Sequence, residues 1–153
     1  MPHPPYVAVI GPGSPDDGSL LELAREAGRL LGERGWVVVT GGLGGVMAAA
    51  AQGASDAGAT TVGLLPSSSR DDASPGHTVV LPTGLGEMRN ALLVRSADAV
   101  LAIGGAWGTL SELALAVRTN VPVVAVRSWP LPEPVRACAT VEEAVELIAA
   151  QVR

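Results

Sequence analysis

Apolar residues in this chain fall in short unbroken runs, and between the runs the spacing turns helical. Tyr6–Ile10, residues 36–40, residues 60–65, Ala99–Ile103 and residues 121–126 are too short for helices and rich in Val, Ile, Leu and Thr. They read as strands buried on both faces. Residues 78–81 read as a further short strand. Ser19-Leu20-Leu21-Glu22 has the form of a capping box, opening a helix that runs to about Arg34 and breaks at Gly35. An Ala-rich helix follows Gly41-Gly42-Leu43-Gly44-Gly45 and ends at Gly58. Residues 86–96 and 109–118 are helical, and Thr140-Val141-Glu142-Glu143 is a second capping box before a C-terminal helix.

This alternation implies a Rossmann-like, doubly wound α/β fold: a parallel sheet with helices on both faces, in one domain over residues 1–153. Ligands of such sheets bind beyond the carboxyl ends of the strands. Three glycine clusters fall on that edge, at Gly11-Pro12-Gly13-Ser14, at Gly41 to Gly45, and at Gly104-Gly105-Ala106-Trp107-Gly108. The polar stretch 66–76 is expected to be a surface loop and the most mobile segment.

Composition narrows the chemistry. With 48% hydrophobic and 16% charged residues the chain is a folding sequence. At 3% aromatics and no Phe, its core must be built from Val, Leu, Ile and Ala. The net charge of -5 argues against a nucleic-acid surface but leaves room for a local arginine pocket. All 10 basic residues are arginine. With no lysine, neither a Schiff base nor a Walker A phosphate contact can form. The single Cys138 forbids an internal disulfide and fits a reducing cytoplasm. His3 and His77 are too few for a His/Cys metal cluster. No apolar run approaches the ~18 residues of a membrane span, so no membrane partner is expected.

The glycine loops suit an anion, because glycines expose backbone N–H groups at a helix N-terminus. They do not fit the dinucleotide fingerprint. Counted from Gly42, Met47 stands at the third glycine, and counted from Gly11, Asp16 does. Gly11, Gly13, Ser14, Gly41, Gly42, Gly44, Gly45 and Met47 are candidate ligand contacts. The competing reading is that these glycines only permit tight strand-to-helix packing. In the third cluster, Gly105, Ala106, Trp107, Gly108 and Thr109 are candidates. Thr109 could be a phosphate ligand or a helix cap, and Glu112 either faces the ligand edge or completes a Thr109–Glu112 capping box. Arg89 is the candidate cation, with Arg95 in reserve or paired to Asp98; an arginine fork suits a phosphate or carboxylate.

These motifs together resemble the Lonely Guy (LOG) family, formerly labelled possible lysine decarboxylases. Gly104-Gly105-Ala106-Trp107-Gly108-Thr109-Leu110-Ser111-Glu112 aligns without a gap on the family's P-G-G-x-G-T-x-x-E motif. Arg89-Asn90 takes the place of its upstream R-K pair. Gly104, Ala106 and Asn90 depart from that pattern, and the departures look closer to a sister branch containing molybdenum cofactor carrier proteins. LOG enzymes are phosphoribohydrolases of cytokinin riboside 5′-monophosphates, and the resemblance implies catalytic roles for Arg89 and Glu112.

Two functions follow as expectations. One is a binding or carrier protein for a phosphorylated small molecule, either an AMP-like nucleotide or the molybdenum cofactor, with no further cofactor required. The other is a nucleoside 5′-monophosphate phosphoribohydrolase. A third reading is an assembly subunit that kept the fold and lost the site. The resemblance and the weakly charged helix at 48–57 also suggest a homodimer or higher homo-oligomer. Trp107 is the tryptophan best placed to stack on a base or pterin, His77 has no evident partner, and Cys138 is read as a packing residue.

Overall fold

Successive side chains of a strand point to opposite faces, so unbroken apolar strands must be covered on both sides. A computed structural model describes residues 2–152 and shows how this is done. Its strands are β1 (Tyr6–Ile10), β2 (Val37–Thr40), β3 (Thr61–Leu65), β4 (Val79–Pro82), β5 (Ala99–Ile103), β6 (Val123–Val126) and β7 (Arg136–Cys138). They form one parallel sheet in the order β4-β3-β2-β1-β5-β6-β7. The helices are α1 (Ser19–Glu33), α2 (Val46–Asp56), α3 (Arg89–Arg95), α4 (Trp107–Arg118) and α5 (Val141–Ala149).

Alternate residues of β1 divide between two cores. Val7 and Val9 face α1, α2 and α5, meeting Leu31, Ala50 and Ile148. Ala8 and Ile10 face α3 and α4, meeting Leu93 and Leu113. The chain first winds outward from β1 through β2, β3 and β4, then returns to β5 on β1's other side. The topological switch point lies between β1 and β5, where the crevice of a doubly wound sheet opens. The fold is the one expected from the sequence. No helix among the described residues is long and apolar enough to cross a membrane.

Local details differ from expectation. Ser19 does not cap α1: no side chain caps that helix, and the Ser19 N–H donates instead to the Asp17 carboxylate at 2.9 Å. Thr140 does cap α5, accepting from the Glu143 N–H at 3.1 Å, while the Glu143 carboxylate accepts from Ala139 N–H at 3.1 Å. The segment expected as one helix over 86–96 is a single 3₁₀ turn, Gly86–Met88, followed by α3. β7 was not foreseen, because it is three residues long beside a proline-rich loop.

The buried face of α2 is taken up within the chain, while Ala48, Ala49, Gln52 and Ser55 stay half-buried on its other side. The helix packs backbone to backbone on α1 within the chain. A Cβ built on Gly28 would lie 2.0 Å from the Ala50 carbonyl oxygen, and one on Gly53 would lie 2.0 Å from that of Arg25. Gly→Ala normally stabilises an exposed helix interior by about 1 kcal/mol. Here the sign reverses: Gly28→Ala should lower the unfolding free energy by about 1–3 kcal/mol through overpacking. Urea denaturation checks this, and an unchanged or raised midpoint would contradict the packing described.

Candidate functional site

The carboxyl ends of β2, β1 and β5 carry the three glycine loops side by side. The glycines within them have separate jobs. Gly45 adopts φ 63°, and a Cβ there would lie 2.3 Å from the Pro12 carbonyl oxygen. A Cβ on Gly41 would lie 2.4 Å from Arg89 Nη2 and 2.7 Å from Met47 Sδ. These two are glycine because other atoms fill the space, as the packing reading held; Gly11 and Gly42 are crowded in the same way by Val46 and Leu65. Gly13 and Gly44 are looser, with nearest neighbours at 3.5 and 3.4 Å, and nothing lies within 4 Å of Gly108. Open backbone on this edge is therefore concentrated at Gly13 with its exposed neighbour Ser14, at Gly44 and at Gly108.

Arg89, the first residue of α3, is buried at 8% exposure and reaches across the ends of β3 and β2. Its Nε donates to the Leu64 carbonyl at 2.9 Å, its Nη2 to the Gly41 carbonyl at 3.2 Å, and its Nη1 to Asn90 Oδ1. Three of the five N–H donors of a guanidinium are thereby used inside the protein, leaving two. Asn90, at the position where the family motif has lysine, also donates through Nδ2 to Ser111 Oγ at 3.1 Å. Ser111 in turn donates to the Gly108 carbonyl at 2.7 Å. Asn90 thus links Arg89 to the first turns of α4, a role its residue type alone did not disclose.

Thr109 does not cap α4, as was considered from the sequence. The helix starts two residues earlier at Trp107, with Ala106 in the cap position and no side-chain cap. Thr109 therefore sits in the first turn, 2% exposed, and its Oγ1 is buried without a hydrogen-bond partner. Glu112, one turn on, is 8% exposed, and its carboxylate has no hydrogen bond or ion pair among the described residues. Burial raises its pKa to about 7, against the opposing pull of Arg89, while burial lowers that of Arg89. Arg89, Thr109 and Glu112 are thus all buried at this edge, whereas Arg95 is not part of it. Arg95 ends α3 at the opposite, amino edge of the sheet, and Asp98 beside it accepts from the Tyr6 N–H at 2.8 Å.

Some residues here gave no signal in the sequence. His77 is 8% exposed and far from partnerless. Gly42 N–H donates to Thr40 Oγ1 at 2.9 Å, so the Thr40 hydroxyl proton is free to donate to His77 Nε2 at 2.5 Å. The assigned tautomer then carries its proton on Nδ1, which meets the Ser74 carbonyl at 3.2 Å. Burial holds the imidazole below its usual range, consistent with this neutral form. With Ser74 N–H donating to the Gly42 carbonyl at 3.0 Å, the loop expected to be mobile is stitched to the second glycine loop. A threonine closing a strand just before a glycine loop is the one local cue to this network. Trp129, after β6, lies over Gly105 and meets Trp107 edge to face, with centroids 5.2 Å apart. Trp36 is remote from the edge and stacks under Arg34.

This edge defines a class of protein: a doubly wound sheet that offers backbone donors, one buried cation and one buried carboxyl near its switch point. The chain belongs to the SLOG cluster4 family, whose model matches residues 4–152. It is similar to the molybdenum cofactor binding protein of Rippkaea orientalis, at 36% identity and TM-score 0.91 over 97% of both chains. It is also similar to the molybdenum cofactor carrier protein of Chlamydomonas reinhardtii, at 34% identity and TM-score 0.87, covering 97% of this chain and 99% of that one. A cytokinin riboside 5′-monophosphate phosphoribohydrolase of Mycobacterium tuberculosis is 37% identical over 111 residues, 70% of this chain but 59% of the enzyme.

The raised pKa of Glu112 makes a stability prediction. Below about pH 4 the carboxyl is neutral in both folded and unfolded chains and contributes nothing. As pH rises from there toward 7 the unfolded chain releases the proton first, so stability falls, and above 7 the loss is complete. Glu112→Gln removes that loss. It should be more stable than the wild type by up to roughly 3 kcal/mol at pH 8 and nearly equal to it at pH 4. Denaturant titrations at both pH values measure this; a gap independent of pH would refute the burial argument.

Proposed function

We propose that this protein binds and carries a phosphorylated small molecule at the carboxyl edge of its sheet without breaking a bond in it. The observation that carries this reading is the buried, unpartnered hydroxyl of Thr109 in the first turn of α4. An unsatisfied buried hydroxyl costs about 1–3 kcal/mol, and a phosphate oxygen there would relieve that cost. The same oxygen group would lie among the free N–H donors of a helix N-terminus, where the dipole favours negative charge. The open backbone of Gly13, Gly44 and Gly108 and the two unused donors of Arg89 complete a donor set suited to a phosphate ester. The similarity to the Rippkaea and Chlamydomonas proteins supports the molybdenum cofactor as cargo, and an AMP-like nucleotide suits the same donors. The site residues of this reading are Arg89, Thr109, Glu112 and the open backbone named here.

A second reading is supported by Glu112 together with the mycobacterial relative. Loss of a base from a ribose leaves positive charge at C1′, which an ionised carboxylate stabilises. With a pKa of about 7, only about half of Glu112 is ionised at neutral pH. That ionised half is still available for such chemistry; the carrier reading is preferred because the likeness to the Rippkaea and Chlamydomonas proteins spans 97% of this chain, against 70% for the mycobacterial enzyme.

Incubation with AMP or isopentenyladenosine monophosphate should release no free base, as followed by chromatography. Calorimetry should show phosphate-ester binding that weakens about tenfold in Thr109→Val, the loss of one hydrogen bond to a charged group. Base release that disappears in Glu112→Gln would instead establish hydrolysis. We also propose a homo-oligomer, with a second apolar surface besides α2 as the contact. Leu85, Met88 at 73% exposure and Leu92 form an apolar strip along the 3₁₀ turn and α3. Light scattering should give more than one chain for the wild type and a single chain for Met88→Glu; a monomeric wild type contradicts this.

A further inference from the structure

The chain has only four aromatic residues, three Trp and one Tyr. Neither core cluster uses one among its fully buried members. Two of the four nevertheless meet at one place, beyond the carboxyl ends of β5 and β6. Trp107 is the first residue of α4 and is 80% exposed; Trp129 is 37% exposed. Their rings lie at 67° with centroids 5.2 Å apart, so the edge-to-face contact leaves indole surface of Trp107 open to solvent.

The pair is held in place from behind. A Cβ on Gly105 would lie 3.2 Å from Trp129 Nε1, so the indole rests on the glycine loop itself. Trp129 is aimed there by a left-handed residue, Arg127 at φ 51°, an uncommon conformation for a non-glycine side chain. Arg127 is fixed by donating to Ser19 Oγ at 2.6 Å, with Asp17 at 3.7 Å. A large exposed aromatic adds little to folding, so its fixed position calls for another explanation.

A second feature of the same helix points to a ligand. Two residues from Trp107, the Thr109 hydroxyl is 2% exposed and unpartnered, and Gly108 between them has open space above it. We propose that Trp107 and Trp129 form a stacking platform for the planar fused heterocycle of the ligand whose phosphate is held at Thr109. This rests on the phosphate-binding reading and adds to it the ring-bearing class of the ligand and the direction in which it lies. Residues of a helix advance 100° each, so Trp107 and Thr109 face different sides of the first turn of α4, and a ligand reaching both spans the open helix end beside Gly108.

Isothermal titration calorimetry with four probes tests the proposal: AMP, neopterin 3′-phosphate, ribose 5-phosphate and adenosine. Wild-type protein should bind at least one ring-bearing phosphate more tightly than ribose 5-phosphate, and adenosine weakly. Whichever ring binds better distinguishes a purine from a pterin. In Trp107→Ala, affinity for that probe should fall about 5- to 100-fold, the range for losing one base–aromatic stack, with ribose 5-phosphate unchanged. Trp107→Phe should recover most of the loss, and Trp129→Phe should weaken binding less than Trp107→Ala. Ribose 5-phosphate binding equal to that of both ring-bearing probes, or equal losses for all phosphates in Trp107→Ala, would overturn the platform and leave the phosphate site standing. Failure of every phosphate probe to bind the wild type would overturn both.

Discussion

One buried cation organises the carboxyl edge. A guanidinium withdrawn from water carries a desolvation cost of several kcal/mol unless its donors are met. Arg89 meets that cost with the carbonyls of Leu64 and Gly41 and the side chain of Asn90. Each contact constrains a different element. The first fixes α3 to β3, the second needs a glycine at 41 to let the guanidinium approach, and the third passes through Ser111 to α4. The glycine loop is held again from its other side by Thr40, His77 and Ser74. The edge is therefore stiff before any ligand arrives, and preorganised donors are the ones that bind at little further cost in entropy.

Arg89 and Glu112 do not neutralise each other: both are buried, and no ion pair joins them. Their titration shifts reflect this, with burial the larger cause for each. A phosphate entering between the unpartnered Thr109 hydroxyl and the guanidinium would add negative charge beside Glu112. Like charge raises a carboxyl pKa further, so occupancy favours protonated Glu112, which can donate to a phosphate oxygen. A neutral donor is well suited to holding an anion and poorly suited to stabilising a cationic transition state.

Much of this was legible in the sequence, for a physical reason. Strands buried on both faces must be continuously apolar, so β1, β3 and β5 announce themselves, and their alternation with helices fixes a doubly wound sheet. β7 was hidden because a three-residue edge strand with two exposed positions has no such run. Arg89, Thr109 and Glu112 could be nominated because strand-to-helix glycine loops mark the edge. What each does there depends on contacts 20 to 50 residues apart in the chain, as between Arg89 and Gly41, which no local pattern encodes. The same holds for His77, whose partner Thr40 lies on another strand, and for Trp129, whose place over Gly105 follows from the turn at Arg127. The two readings of Thr109 were both open from spacing; the start of α4 at Trp107 turned a possible cap into an orphaned hydroxyl.

The absence of lysine bears directly on Glu112. An amine at position 90 would bring a second buried cation next to Arg89 and compete with it for the same acceptors. Two cations would draw the carboxyl toward its ionised form, since opposite charge within a few ångströms lowers a carboxyl pKa. Asparagine does the reverse: its Oδ1 accepts from Arg89 while its Nδ2 donates to Ser111, so the position is filled without adding charge. The guanidinium is then held by neutral partners, and desolvation of Glu112 is opposed by one cation where an Arg-Lys pair would supply two. Asparagine beside Arg89 thus leaves Glu112 facing one buried cation, and burial keeps its pKa raised to about 7.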